Sequence, residues 1–173
     1  MRIVLDLQNI QGPSKLRGIG RNAFALAQAM ISIATEDEFY IILNKQFPEH
    51  IEQIRYDFRS IIPQSNIKIF DVPLGCTFNE GNYARIAAAE LLRENFILNL
   101  KPDIIHIGSG LLESGPSIPG ICSVGKLSST KITVAATLHD FIPMTDPFLY
   151  LPDNNCKSLY KQRLDYISKT DLI

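Results

Sequence analysis

The sequence contains few cysteines and no cysteine motif. Cys76, Cys122 and Cys156 are its only three, and they lie far apart without a C-x-x-C pair. Zinc sites and disulfide frameworks use closely spaced pairs or larger even numbers of cysteines. We therefore expect neither a structural zinc site nor a disulfide framework, and a reducing compartment fits the chain best.

The chain also lacks a charge imbalance and a long hydrophobic run. Its 17 basic residues nearly balance its 18 acidic residues, for a net charge of -1, whereas nucleic-acid and anionic-membrane surfaces need a basic excess. No run approaches the roughly 18 apolar residues of a membrane-spanning helix. Asp6 interrupts the first apolar run too early for a signal peptide. We expect a cytoplasmic protein that does not bind nucleic acid.

What the chain does contain is an ordinary globular composition. Hydrophobic residues make up 46% of its 173 residues and charged residues 20%, which is close to the usage of soluble domains. A chain of this length buries enough apolar surface for a substantial core. The totals predict one folded domain.

Short apolar runs alternate with helical patterns along the whole chain. Apolar, β-branched runs predict strands at residues 2–7, 39–43, 66–70, 104–107 and 132–138. Three- and four-residue apolar spacing predicts helices at residues 21–34, from Pro48 to Phe58, at 82–99 and at 155–169. The run at residues 66–70 alternates in polarity and so lies near a sheet edge. Residues 171–173 resemble the start of a sixth strand.

This alternation favours an α/β fold with a doubly wound, Rossmann-like parallel sheet. Each crossover helix must pack back on the sheet, so helices cover both faces. Such sheets bind ligands at the carboxyl ends of their strands. The informative residues are therefore expected just after Leu7, Ile107 and Leu138.

The connection at residues 8–20 is rich in glycine and ends in the string RGIGR. Glycines let backbone amides approach a ligand, and the following helix directs unpaired amides toward an anion. Arg17 and Arg21 would strengthen such a site. The string meets only the looser G-x-G-x-x-A form of the dinucleotide fingerprint and lies far from the first strand. Two interpretations remain open: an anion site, or a helix start whose glycines serve turn geometry.

His139 and Asp140 directly follow the fifth predicted strand, in the string TLHDFIP. Side chains at that position emerge at the ligand edge, where a histidine can bind a hydroxyl or move a proton near neutral pH. The alternative is a buried His139 satisfied by backbone groups, with Asp140 capping a turn before Pro143.

Other chemical signals are weak or absent. His106 lies between two isoleucines inside the fourth strand, which favours a structural role. Glu113 lies in the Gly- and Ser-rich segment after that strand, as a lone carboxylate. The sequence has no second carboxylate at glycosidase or metal-site spacing, no G-x-S-x-G elbow and no Walker loop. We expect no metal site.

Three segments, in order along the chain, resemble one family. The opening MRIVLDLQNIQGPSKLRGIGRNAFALAQAM, then PDIIHIGSGLLE, then VAATLHDFIP are similar to segments of retaining glycosyltransferases of the two-domain GT-B class. The group includes bacterial mannosyl- and glucosyltransferases, with an RGIGRY-type sequence after the first strand and an HD.IP corner after the fifth. The helix ending in TDLI resembles the family's approach to ADLI. Asn22 replaces a common aromatic, and residues 108–129 match no family segment.

The resemblance implies an enzyme of polysaccharide biosynthesis. It would move a sugar from a nucleotide-diphosphate donor to a glycan or lipid-linked acceptor with retention, using no cofactor besides the donor substrate. By analogy His139 contacts the hydroxyls of the donor sugar and Asp140 fixes that corner. The implied donor- or acceptor-binding residues are Arg17, Gly18, Ile19, Gly20, Arg21 and Glu113.

The resemblance also implies that residues 1–173 form the N-terminal, acceptor-side domain, truncated before the donor-binding C-terminal domain. We therefore expect the chain alone to be inactive, because the groups that stabilise the departing diphosphate lie in that second domain. Its acceptor would bring the enzyme to the inner face of the membrane. Two alternatives remain: a stand-alone α/β module that binds a phosphate-bearing ligand, and an epimerase acting on a sugar nucleotide.

Overall fold

A computed structural model describes residues 1–78, 81–108, 120–127 and 132–173 of the chain. Within them, five parallel strands form one sheet in the order β3-β2-β1-β4-β5. The strands are β1 (Arg2–Asp6), β2 (Glu38–Asn44), β3 (Ile67–Phe70), β4 (Ile104–Ile107) and β5 (Thr133–Ala136). The predicted parallel α/β fold is confirmed.

Strand β1 lies at the centre of the sheet because both of its edges are paired. Val4 aligns with Tyr40 of β2 on one side and with Ile105 of β4 on the other. Val4 and Leu5 are completely buried, since a central parallel strand is covered on both faces. Strand β3 lies at the outer edge, as its alternating polarity predicts.

Helices cover the two faces of the sheet separately. They are α1 (Gly18–Ile33), α2 (Ile51–Phe58), α3 (Tyr83–Asn99), α4 (Ile142–Thr145), α5 (Pro147–Tyr150) and α6 (Asn154–Ile167). Residues of α1 and α2 pack with Leu5 in one apolar cluster. Residues of α3 and α6 pack with Val4 in the other. None of these helices is both long and apolar enough to cross a membrane, as far as the described residues extend.

The structure corrects the predicted start of α1. The helix begins at Gly18 rather than at residue 21, and two 3-10 turns, Gln8–Ile10 and Pro13–Leu16, precede it. Gly18 and Gly20 therefore belong to the first helical turn and not to a loop. The short helices α4 and α5 were not predicted, because each has only four residues.

The last residues pair with the outer edge of β5. Leu172 forms an isolated parallel bridge with Ala135, and the Leu172 carbonyl accepts a hydrogen bond from the Ala136 amide at 3.0 Å. This pairing is what the predicted beginning of a sixth strand requires. It extends the strand order toward 3-2-1-4-5-6, the order of the doubly wound dinucleotide-binding sheet.

The chain leaves β1 toward β2 and later returns on its other side through β4. Doubly wound sheets bind ligands at such a reversal of strand order, which here falls at the carboxyl ends of β1 and β4. Gly108 lies at this point and its amide donates to the Asp6 carbonyl at 3.1 Å. A β-carbon on Gly108 would lie 3.1 Å from both that carbonyl oxygen and Asn9 Oδ1, so the close approach of the two strand ends favours glycine.

Candidate active site

The RGIGR string forms the exposed start of α1. Arg17 is the N-cap residue, with an extended backbone and no side-chain cap hydrogen bond, and Arg17, Gly18 and Arg21 are exposed. A β-carbon on Gly18 would meet no atom within 4 Å, and its φ is not in the left-handed region. Nothing within the described chain therefore requires glycine at residue 18, which leaves room for an external group to approach the backbone.

Ile19 and Gly20 face inward from the same turn. Ile19 is half-buried and Gly20 is buried, so Gly20 contacts the interior of the domain rather than open solvent. Of the two glycines in the string, Gly18 is the one whose backbone is open to a ligand.

His139 and Asp140 follow β5 at the same edge of the sheet. Both side chains are exposed, so the alternative of a buried His139 is wrong. The capping role considered for Asp140 is present, because its Oδ1 accepts a hydrogen bond from the Ile142 amide at 2.9 Å at the start of α4. Strand β5 precedes this corner and β1 precedes RGIGR, and β4 lies between these two strands in the sheet. Glu113 lies outside the described residues.

His106 has a structural setting. The residue is half-buried on β4, and its Nε2 lies 2.9 Å from the Thr137 hydroxyl. Burial lowers the pKa of His106 and the nearby Asp6 carboxylate opposes this only in part. Its ring is therefore poorly suited to carry a proton near neutral pH.

The sequence did not reveal a buried ion pair at the carboxyl end of β1. Asp6 and Arg93 are 3% and 1% exposed, and Asp6 Oδ2 accepts from Arg93 Nε at 2.8 Å and Nη2 at 2.5 Å. Burial acts to lower the pKa of Arg93, but the charge and hydrogen bonds of Asp6, together with the nearby Cys122 and Glu94, raise the pKa overall. Arg93 is therefore charged, and its contact with Asp6 joins α3 to the end of the central strand.

Gln8 extends this pair into a buried polar network. Its side-chain amide donates to the Asp6 carboxylate at 3.0 and 3.1 Å and to the Ile121 carbonyl at 2.8 Å. Its Oε1 accepts from the Ile121 amide at 3.1 Å and from Asn44 Nδ2 at 2.9 Å. One side chain thus connects the ends of β1 and β2 with the crossover between β4 and β5.

Side chains of helix α3 also bind the crossover between β4 and β5. Arg93 Nη1 donates to the Ser123 carbonyl at 3.1 Å. Glu94 accepts from the Ser123 hydroxyl at 2.6 Å and from the Leu127 amide at 2.7 Å, and Glu90 forms an ion pair with Lys126. The described part of the crossover, residues 120–127, is therefore fixed by charged groups on the inner face of α3.

Two side chains of α6 also take part in this buried polar network. The Tyr166 hydroxyl donates to Glu90 at 2.9 Å, and burial, together with the Glu90 charge, raises the pKa of Tyr166. Arg163 Nη2 donates to the Gly120 carbonyl at 3.0 Å. The sequence did contain a signal for the network, because Asp6 interrupts an apolar strand and Glu90, Arg93 and Glu94 share a helix with a buried face.

The sheet and its helices define a Rossmann-like α/β domain. Compared with known proteins, the whole chain is 30% identical over 175 residues to a serotype-specific mannosyltransferase WbdA of Escherichia coli, covering 20% of it. Two further Escherichia coli proteins with that name match 86% of the chain at 25% and 26% identity, covering 18% of each.

The chain is thus homologous to a part of bacterial glycosyltransferases. It spans about a fifth of the length of the curated relatives it matches. No family model matches the chain. No solved structure matches it either.

Proposed function

We propose that this chain is a domain of a glycosyltransferase that moves a sugar from a nucleotide-diphosphate donor to a glycan or lipid-linked acceptor. The observation that carries the proposal is the homology of the complete chain with proteins named as mannosyltransferases. The parallel sheet supports it, because doubly wound sheets bind nucleotides at the carboxyl ends of their strands. The homology favours transfer over epimerisation.

The proposed enzyme is of the retaining GT-B type, with this chain as its N-terminal, acceptor-side domain. The resemblance of RGIGR, PDIIH and TLHDFIP to that class supports the assignment. A second nucleotide-binding domain would supply the groups that stabilise the departing diphosphate. We therefore propose that the chain alone is inactive, and that the acceptor brings the complete enzyme to the cytoplasmic face of a membrane.

Each candidate residue receives a role from its position. Gly18 is exposed and its β-position is open, so the donor diphosphate can approach the backbone there, and Arg17 offers positive charge beside it. Arg21 remains a proposed donor- or acceptor-binding residue. His139 has an exposed ring that can contact the hydroxyls of the transferred sugar. Asp140 holds that corner through its cap on the Ile142 amide. Glu113 remains a proposed donor- or acceptor-binding residue.

A panel of mannose- and glucose-bearing nucleotide diphosphates, assayed with the complete gene product, tests this function. We expect one donor to support transfer, and Gly18→Val to weaken donor binding because its side chain obstructs the diphosphate. Exposed Ala29 on the same helix provides a matched control as Ala29→Val. Unchanged donor affinity and rate in Gly18→Val would remove RGIGR from the site.

The alternative of a phosphate-binding module without chemistry draws on the same cations. It predicts ligand binding that His139→Ala leaves intact, with no transfer by the complete gene product under any donor. A gene that ends at Ile173 would favour this module and refute the proposed second domain.

A further inference from the structure

A cavity of about 220 Å³ lies between α1 and α2, beside the RGIGR turn. Ile10, Phe24 and Ile54 line it with apolar surface, and Ile10 and Ile54 are each 1% exposed. Gly20 also lines it, so the α1 backbone forms part of the wall without a side chain entering the space. We call this space the α1–α2 cavity.

Positive charge surrounds the opening of the α1–α2 cavity. Lys15 and Arg21 are among its lining residues, and exposed Arg17 lies one helical turn before Arg21. Among the described residues, these three cations form no ion pair. The carboxylate that lines the cavity, Asp57, accepts from Gln53 Nε2 at 2.7 Å. The Gln53 amide is neutral and leaves the charge of Asp57 in place, but three cations without an ion pair still outnumber this one carboxylate, which favours an anionic ligand.

The apolar wall sets a second requirement on that ligand. An apolar cavity of about 150 Å³ is large enough to bind benzene, so the α1–α2 cavity can hold a short hydrocarbon body. Groups in the wall that could recognise a nucleobase are scarce, because among the described lining side chains hydrogen-bonding groups occur only at Lys15, Arg21 and Asp57. The ligand must therefore combine an anionic head with an apolar body.

We infer that the α1–α2 cavity binds an organophosphate through its hydrocarbon body, with the phosphate held by Lys15 and Arg21. The inference rests on the proposed function in one respect: it assigns such a phosphate to the acceptor rather than to the nucleotide donor. The hydrocarbon lies against Phe24 and Ile54, and the phosphate remains at the solvent edge. The acceptor class is then a phosphate ester with a hydrocarbon chain.

Titration of the 173-residue chain with hexyl phosphate, inorganic phosphate and hexanol tests the cavity. We expect hexyl phosphate to bind at least about tenfold more tightly than either other probe, since charge-assisted contacts and apolar burial each contribute that much. Amide chemical shifts of Gly20 and Phe24 should respond. Equal affinity for hexyl and inorganic phosphate, or shifts confined to other elements, would overturn the inference.

Two charge variants identify the head-group site. Lys15→Gln and Arg21→Gln should each weaken hexyl phosphate binding about tenfold, whereas hexanol binding should not change. Exposed Lys161 on α6 and exposed Arg59 after α2 provide matched controls as Lys161→Gln and Arg59→Gln, which should bind normally. Equal losses in the controls would mean nonspecific attraction and would contradict the site.

A fourth probe separates the two sources of phosphate. GDP should not displace hexyl phosphate if the cavity serves a hydrocarbon-bearing acceptor; competitive displacement by GDP, with tighter GDP binding, would overturn that assignment. Sugar transfer by the complete gene product is measured independently. Transfer without hexyl phosphate binding would refute the cavity alone, and binding without any transfer would refute the proposed function while leaving the cavity intact.

Discussion

Replacing Arg93 with leucine tests whether the buried ion pair organises the carboxyl edge of the sheet. The substitution removes both hydrogen bonds to Asp6 and the bond to the Ser123 carbonyl. Removing one partner of a buried pair typically costs about 3–5 kcal/mol, because the other charge stays buried and unpaired. A domain of this kind has a free energy of unfolding of about 5–15 kcal/mol. We therefore expect Arg93→Leu to remove a large part of the stability.

Urea unfolding followed by far-ultraviolet circular dichroism measures this loss, since the chain has no tryptophan to report by fluorescence. The double variant Asp6→Asn with Arg93→Leu should lose less free energy of unfolding than the two single variants together, by about 1–3 kcal/mol for directly contacting residues. This difference measures the interaction between Asp6 and Arg93 separately from the loss of packing around each side chain.

The exposed pair Lys169 and Asp165 provides the matched control. Its side chains are 50% and 57% exposed, and exposed pairs contribute about 0–1 kcal/mol. Lys169→Met should therefore change the free energy of unfolding only slightly. A loss below about 1 kcal/mol in Arg93→Leu, or strictly additive single variants, would refute the argument.

Three further outcomes follow from the same geometry. Gly108→Ala should destabilise the chain by about 1–3 kcal/mol, as overpacking does, because its β-carbon meets Asn9 at 3.1 Å; an unfolding midpoint equal to wild type would contradict this. Burial lowers the pKa of His106, so the contribution of this residue to stability is complete above a pH of about 6.5 and is lost as the pH falls through its folded-state pKa. His106→Gln should therefore flatten the decline of stability below neutral pH. An unaltered pH dependence would exclude His106 as the cause of that decline. His139→Ala should lower turnover by the complete gene product about tenfold, the loss expected of one hydrogen bond to the transferred sugar, with little change in donor affinity, and equal rates in mutant and wild type would end the proposed role.

Local patterns were enough to predict the regular elements of the fold. Strand β4 has the bounds predicted from its apolar run, and Leu172 pairs with Ala135 as a beginning strand should. The start of α1 was misplaced because Gly18 and Gly20 have low helix propensity and suggested a loop. In the structure they occupy the first turn of the helix.

The buried network could not be predicted in the same way. Asp6 and Arg93 are 87 residues apart in the chain, and Gln8 and Ile121 are 113 apart. Pairing over such distances depends on how α3 and the crossover pack on β1. The apolar periodicity of the sequence does not predict that packing. The place of His139 just after β5, by contrast, followed from its position in the sequence behind a predicted strand.

Sugar transfer by the complete gene product, with the anomeric configuration of its product determined by NMR, is the decisive measurement for the proposed function. We expect transfer from one nucleotide-diphosphate sugar, with the configuration of the donor retained. Transfer with inversion would contradict the retaining GT-B assignment. The absence of transfer from every mannose- and glucose-bearing donor would contradict the proposed function itself.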